Sequence, residues 1–134
     1  MSGWAPIEGG TLHIASGGDG LHLFAIVIGP RYIASRGPQG QFLLIPFCSQ
    51  RDDGRHDNTC LMVPSDQDAH PFIVHPSYAD YRYYRVDGES DLRKHVENKL
   101  FVPGEGISSA LLGRVRAGVH ASPRLVRYIK DEFC

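Results

Sequence analysis

Three histidines within one short stretch of the chain, His56, His70 and His75, have the clearest chemical potential. Histidine changes charge near neutral pH, so grouped histidines can serve as the general acid and base of one reaction. His70 and His75 each precede a proline, which directs their backbones to extended or turn geometry rather than helix. We therefore expect these rings to lie on loops and, where the loops share one end of the fold, to form a catalytic site.

The same histidines have two other interpretations. They could hold a metal ion together with Asp57, but their spacing follows neither a helical repeat nor a CxxC framework, so we predict no metal and no cofactor. They could also be structural, since buried imidazoles commonly pair with the backbone of turns. The sequence leaves the catalytic and the structural interpretations open.

Aromatic and basic residues follow directly after the histidines. Tyrosines alternate with Arg82 and Arg85 between residues 78 and 85, and such mixtures stack bases and hold the phosphates of single-stranded nucleic acid. Tyrosine is also common in half-buried strands, so we assign that ordinary role to two of the four tyrosines. The group is Tyr78, Tyr81, Tyr83 and Tyr84.

Ser49 follows a long apolar segment and is expected to be exposed. No GxSxG motif surrounds it, which argues against a nucleophile for acyl transfer. No phosphate-binding glycine motif is present either, and the glycines of residues 17–20 indicate only a turn.

The net charge of −1 hides an uneven distribution along the chain. Residues 1–105 carry nine Lys or Arg and thirteen Asp or Glu, whereas residues 106–130 carry five basic residues and no acid. A local basic surface can meet phosphate, an acidic partner or only water. The five residues of this basic segment are Arg114, Arg116, Arg124, Arg127 and Lys130.

The length of 134 residues predicts a single domain with its own core. No apolar run approaches the roughly 20 residues that span a bilayer, and the first residues lack the pattern of a signal peptide. Three cysteines without CxxC spacing favour reduced thiols. We therefore expect a cytoplasmic protein without a membrane partner.

Short apolar runs separated by turn residues predict strands in the first two thirds of the chain. The second run ends at Gly29-Pro30, and Pro46 marks the end or an edge of the third. The predicted strands cover residues 11–15, 22–28, 41–47, 59–63, 72–74 and 81–86.

After residue 88 the apolar period changes from two to about four, which predicts helices. A first helix is capped by Ser90 and ended by Pro103, a second opens at Ser108 or Ser109, and a third begins at Ser122-Pro123. Strands first and helices last predict an α+β domain, with β structure over residues 9–86 and a helical tail over residues 88–134.

The order of the first three strands, followed by His-Asp-x-Thr-Cys at residues 56–60 and His-Pro-Phe-Ile at residues 70–73, resembles the PemK/MazF-like toxins. The likeness covers residues 9–86. That family usually has Gly-Asp at the first strand and Arg-Pro before the second, where this chain has Gly10-Thr11 and residues 21–23 read Leu-His-Leu. Of the family's site residues, only the hydroxyl residue after the third strand carries over, as Ser49.

The resemblance implies a small SH3-like β-barrel and a toxin of a toxin–antitoxin pair that cleaves single-stranded RNA without metal. Its partners would be single-stranded RNA or other nucleic acid, an antitoxin protein and a second copy in a homodimer. Catalysis would then be rebuilt on His56, His70 and His75, with Arg51 or Arg82 stabilising the phosphorane. Otherwise the module binds nucleic acid or a protein without chemistry, or has a purely structural role. The binding residues that we predict are Ser49, Arg51, Asp57, Ser77, Tyr78, Tyr81 and Arg82.

Overall fold

The computed structural model describes residues 3–15, 21–66 and 69–134. Within these residues, seven strands form one antiparallel sheet and three α-helices pack against it, which confirms the predicted α+β class. The predicted glycine turn at residues 17–20 lies outside the described residues. The strands are β1 (Thr11–Ala15), β2 (Leu21–Arg31), β3 (Gln41–Ser49), β4 (Leu61–Met62), β5 (Ser77–Ala79), β6 (Arg85–Gly88) and β7 (Phe101–Gly104). The helices are α1 (Glu89–Glu97), α2 (Ser109–Ala121) and α3 (Arg127–Phe133).

The sheet is ordered β4-β5-β3-β2-β1-β7, and β6 pairs with β3 beside β5. It does not close into a barrel. β3 is central, since β2 runs along one side of it while β6 and β5 share the other side, at residues 41–44 and 47–49.

Both faces of this sheet are apolar because both are covered. Leu43, Ile45 and Phe47 point to the face on which α2 and α3 pack, whereas Phe42 and Leu44 point to the face of α1. Continuous apolar runs, rather than alternating ones, are typical of strands buried on both faces. β2 and β3 have long apolar runs because helices cover both faces of the sheet along these strands.

Pro46 lies inside β3, not at an end or an edge as predicted. Its carbonyl accepts the backbone N–H of Asp80. In an antiparallel strand the carbonyl and the nitrogen of one residue point to the same side, so the nitrogen of Pro46 also points toward this side of β3. The missing N–H of Pro46 therefore falls in the gap between β6 and β5. A central strand tolerates proline there because no ladder hydrogen bond is required.

Several predicted boundaries are wrong. β2 continues through Gly29-Pro30 to Arg31, residues 72–74 are not a strand, and Tyr81–Tyr83 forms a single 3₁₀ turn. α1 ends at Glu97, so the segment before Pro103 is not helical. Instead β7 pairs with β1, which ties the predicted helical tail into the sheet.

Of the three predicted helix caps, one is correct and two are wrong. Ser108 caps α2 as predicted, with its Oγ accepting the N–H of Leu111 at 3.1 Å. The N-cap of α1 is Gly88, and Ser90 instead donates its backbone N–H to Oε1 of Gln39, at 2.8 Å. Ser122 does not cap α3, which begins at Arg127.

Candidate functional site

A pocket of about 430 Å³ lies at the C-terminal end of β3. Ser49 and Ser77 line it as paired residues of β3 and β5, and His75, two residues before Ser77, lines it as well. These three predicted site residues come from two segments, residue 49 and residues 75–77, which the pairing of β3 with β5 brings to one concavity. The rest of the lining is mostly apolar: Phe47, Cys48, Pro71, Phe72, Ile73 and Val74.

One wall of the pocket is the loop of residues 70–76, called the strap below. His70 is buried and fixes the beginning of the strap: its Nδ1 accepts the N–H of Phe72 at 3.0 Å, and its Nε2–H donates to the carbonyl of Glu105 at 2.5 Å. Ile73 is buried in the core, and the carbonyl of Pro76 accepts the N–H of Gln50. The strap is thus held at both ends and in the middle.

His56 has a similar structural place. It is buried, its Nδ1 accepts the N–H of Arg51 at 3.1 Å, and its ring lies 5.0 Å from that of Tyr78. Neither His56 nor His70 lines the pocket. Both rings use Nδ1 to organise a turn, which is the structural role that the sequence left open.

His75 differs from these two histidines because it is exposed. Its carbonyl accepts the hydroxyl of Ser77 at 2.8 Å, which sets the backbone, while its ring has no hydrogen-bond partner among the described residues. Of the three predicted catalytic histidines, His75 alone lines the pocket. It is therefore the candidate for contact with a ligand.

Asp57 is buried and joins two distant segments. One carboxylate oxygen accepts the backbone N–H and the hydroxyl of Thr59, at 2.9 and 2.5 Å, and the other accepts the Ser122 hydroxyl at 2.5 Å. Burial acts to raise the pKa of Asp57, but the hydrogen bonds from Ser122 and Thr59 outweigh it and hold that pKa below its usual value. Asp57 therefore stays ionised as a structural acceptor.

The structure decides which tyrosines are ordinary core residues. Tyr78 and Tyr81 are buried, with hydroxyls that donate to Asp80 at 3.2 Å and to the carbonyl of Val115 at 2.8 Å. Burial raises the pKa of Tyr78 to about 12, and it raises the pKa of Tyr81 as well. Both phenols stay protonated at neutral pH and face the protein.

Cation and ring meet instead on the surface at Arg82 and Tyr83, and the charge of Arg82 acts on Cys48 of the pocket lining. The Arg82 guanidinium lies 4.5 Å from the centre of the Tyr83 ring, and both side chains are exposed. The buried carboxylate of Asp80 forms a 3.5 Å ion pair with the Arg82 guanidinium and accepts the backbone N–H of Arg82. Arg51 is exposed two residues beyond Ser49 and pairs with Asp53 at 2.8 Å.

Cys48 lines the pocket but is not suited to act as a nucleophile. Burial raises the pKa of its thiol to about 11, and the charge of Asp80 acts in the same direction. The nearby charge of Arg82 opposes these effects without reversing them. The reactive thiolate is therefore scarce at neutral pH.

Within residues 3–15, 21–66 and 69–134, no group of three or more His, Cys, Asp or Glu side chains could hold a metal ion. None of the helices in the same residues is long and apolar enough to cross a membrane.

The basic segment is tied to the rest of the molecule. Arg114 pairs with Asp66 and donates to the carbonyl of Leu61, and Arg116 pairs with Glu8 at 2.6 Å. Arg124 donates to the carbonyl of Arg55 at 2.8 Å. Much of the local charge surplus in the sequence is therefore matched by acids and carbonyls from distant positions.

Sequence reasoning included Tyr83 in the aromatic group but not among the predicted binding residues, and it missed Asp80, which holds Arg82. An aspartate that opens a turn is a recognisable signal, and here Asp80 accepts the N–H of Arg82. Phe72 was assigned to a strand, but it forms part of the pocket wall.

In comparisons with known proteins, the chain matches no family model, no curated protein and no solved structure.

Proposed function

We propose that this chain is a toxin-like, RNA-directed protein that binds single-stranded RNA at the C-terminal end of β3. The observation that carries the proposal is the convergence of Ser49, Ser77 and His75 on one pocket. The exposed Arg82–Tyr83 pair, whose cation acts on Cys48 of the pocket lining, offers a positive charge for a phosphate and a ring face on which a base can stack.

Binding is better supported than cleavage. Transfer of the 2′-OH to phosphorus needs a base for that hydroxyl and an acid for the leaving oxygen. His56 and His70 are buried and accept backbone N–H groups at Nδ1, which leaves His75 as the one predicted histidine facing the pocket. A single imidazole supplies one of the two roles.

Metal-independent cleavage is the second candidate, favoured by the exposed ring of His75. In this reaction His75 takes the proton of the 2′-OH, whose oxygen attacks phosphorus while the 5′-oxygen leaves and is protonated by water. Arg82 would stabilise the phosphorane charge.

The same proposal includes an SH3-like arrangement of the strands, an antitoxin partner, a homodimer and a cytoplasmic location. The change of partner along β3, from β6 to β5, is compatible with a partly rolled sheet. All three cysteines are free, as a reducing compartment requires.

The test is incubation of the purified protein with a labelled single-stranded RNA, with and without EDTA, followed by gel analysis. We expect a salt-sensitive mobility shift, and cleavage that survives EDTA if the second candidate holds. Arg82→Gln should weaken the shift several-fold, whereas Arg93→Gln, whose side chain is exposed to the same 46%, should not. Equal binding by the two variants, or no binding at all, would refute the proposed site.

A further inference from the structure

A second concave surface lies between α2 and α3 and the end of β2. It consists of two adjoining pockets, of about 310 and 410 Å³, which share His120 and Cys134. We call this surface the α2–α3 groove. Arg31 and Arg116 line the first pocket, and Arg127 and Lys130 line the second.

Positive charge is in excess in the α2–α3 groove. Four Lys or Arg side chains line it against two acids, Glu8 and Asp131. The excess is local, since the whole chain has a net charge of −1. Three of the four cations belong to the basic segment of residues 106–130, so the fold concentrates part of that sequence feature in one place.

The cations differ in how readily they can meet a ligand. Arg127 pairs with Asp131 at 3.4 Å, but the two side chains are 88% and 67% exposed, so this pair is weak and easily exchanged. Arg31 is exposed and donates to a carbonyl, that of Pro30. Lys130 is held by the carbonyls of His120 and Ser122, which orient its ammonium without neutralising it.

The chemistry of the lining favours carboxylates over nucleic acid. Single-stranded nucleic acid needs exposed rings on which bases stack, and the one Phe, Tyr or Trp in the lining, Phe133, is 2% exposed. Arginine side chains bind carboxylates through two parallel N–H···O bonds. Ile28 and Phe133, the apolar residues of the lining, are 3% and 2% exposed, so the groove offers a ligand mainly charged and polar groups.

The groove is separate from the pocket at the end of β3. Leu23 pairs with Phe47 at the pocket end, whereas Ile28 pairs with Leu43 near the groove end. Five residues of strand separate these positions, about 17 Å along the sheet. A ligand in one place therefore leaves the other open.

From these observations we propose that the α2–α3 groove docks an acidic peptide segment of a partner protein. Glu or Asp side chains of the segment pair with Arg31 and Arg127. The electrostatic part of this binding increases the association rate and is sensitive to salt. The proposal is independent of RNA binding at β3.

The experiment measures the fluorescence anisotropy of a labelled peptide of alternating Glu and Ala during titration with the full chain at low salt. The double variant Arg31→Glu/Arg127→Glu should bind about tenfold more weakly or worse, and the affinity of the wild type should fall as salt rises. The matched control is Lys94→Glu/Lys99→Glu, which makes the same charge change at two exposed residues in and after α1. Circular dichroism and thermal unfolding of all three proteins establish that each is folded.

Retention of peptide binding by the control together with its loss in the groove variant supports the proposal. Equal losses in the two variants would show that only net charge matters, and this would overturn it. Failure of the wild type to bind the peptide, or displacement of the peptide by single-stranded RNA, would overturn it as well. RNA binding that depends on Arg82 but not on Arg31 and Arg127 would leave the proposed function intact in either case.

Discussion

Asp57 shows how one buried carboxylate can organise two loops. Its partners, Thr59 and Ser122, lie in different parts of the chain, and together they satisfy both carboxylate oxygens. Asp57→Asn replaces one acceptor oxygen by a donor that meets a hydroxyl or an N–H. We expect a loss of about 1–3 kcal/mol in the free energy of unfolding, measured by urea titration at neutral pH.

The same residue predicts a direction for the pH dependence of stability. Because the pKa of Asp57 is lower in the folded protein than in the unfolded chain, its ionised form stabilises the fold above the unfolded value, about 3.9. This contribution is lost as the pH falls through the lower, folded value. Urea midpoints between pH 7 and pH 2 should therefore decline less steeply in Asp57→Asn than in the wild type, and parallel curves would contradict the assignment.

His56 and His70 each stabilise a turn through one ring nitrogen. Nδ1 of His56 accepts the backbone N–H of Arg51, and Nδ1 of His70 accepts that of Phe72. Replacement by Ala removes a buried ring and the acceptor of a partly buried N–H, so we expect stability to fall by about 1–3 kcal/mol in each case. His75→Ala, at an exposed ring, should leave the unfolding midpoint unchanged while it weakens RNA binding. A stable His70→Ala protein would argue against the structural role of that ring.

At the scale of elements, α2 is fixed to the sheet by its contact with Tyr81. The Tyr81 hydroxyl donates to the carbonyl of Val115, and the ring lies against Gly118, where a methyl group would clash with it. Gly118→Ala should destabilise the protein by about 1–3 kcal/mol because the ring is fully buried and cannot move aside.

Gly113 in the same helix is the matched control for that substitution. A methyl group there meets no atom within 4 Å, so Gly113→Ala should stabilise the protein by about 0.5–1 kcal/mol through helix propensity alone. Thermal unfolding distinguishes the two variants. Equal shifts of Tm in the same direction would show that the contact with Tyr81 is unimportant.

At the scale of the whole molecule, one ion pair links the turn after β2 to α3. Arg36 donates to both carboxylate oxygens of Glu132, and their side chains are 29% and 18% exposed. The hydrogen bonds that Arg36 donates to Glu132 raise the pKa of Arg36, against the effect of burial. A double-mutant cycle with Arg36→Met and Glu132→Gln should give a coupling energy of about 1 kcal/mol, whereas a value near zero would make the link incidental.

The sequence predicts the long apolar elements of the fold better than its short strands. Local apolar patterns correctly predict β1, the centres of β2 and β3, and the buried stripe of Leu125, Ile129 and Phe133. These segments carry enough apolar residues at a regular spacing for their burial to be visible in the sequence. β5, β6 and β7 contain three or four residues each and were missed or misplaced. Such short strands exist because a neighbouring strand supplies hydrogen bonds, and no local pattern reports that.

The sequence by itself determined the class of the fold, the long apolar strands and the residue types that could do chemistry. Tertiary structure alone decided which of those residues share a surface. His56 and His70 became structural through backbone partners, the pairing of β3 with β5 brought Ser49 to the segment of His75 and Ser77, and part of the basic segment gathered at one groove. The physical reason is that burial and strand pairing depend on contacts between residues far apart in the chain, whereas composition and periodicity report only local preferences.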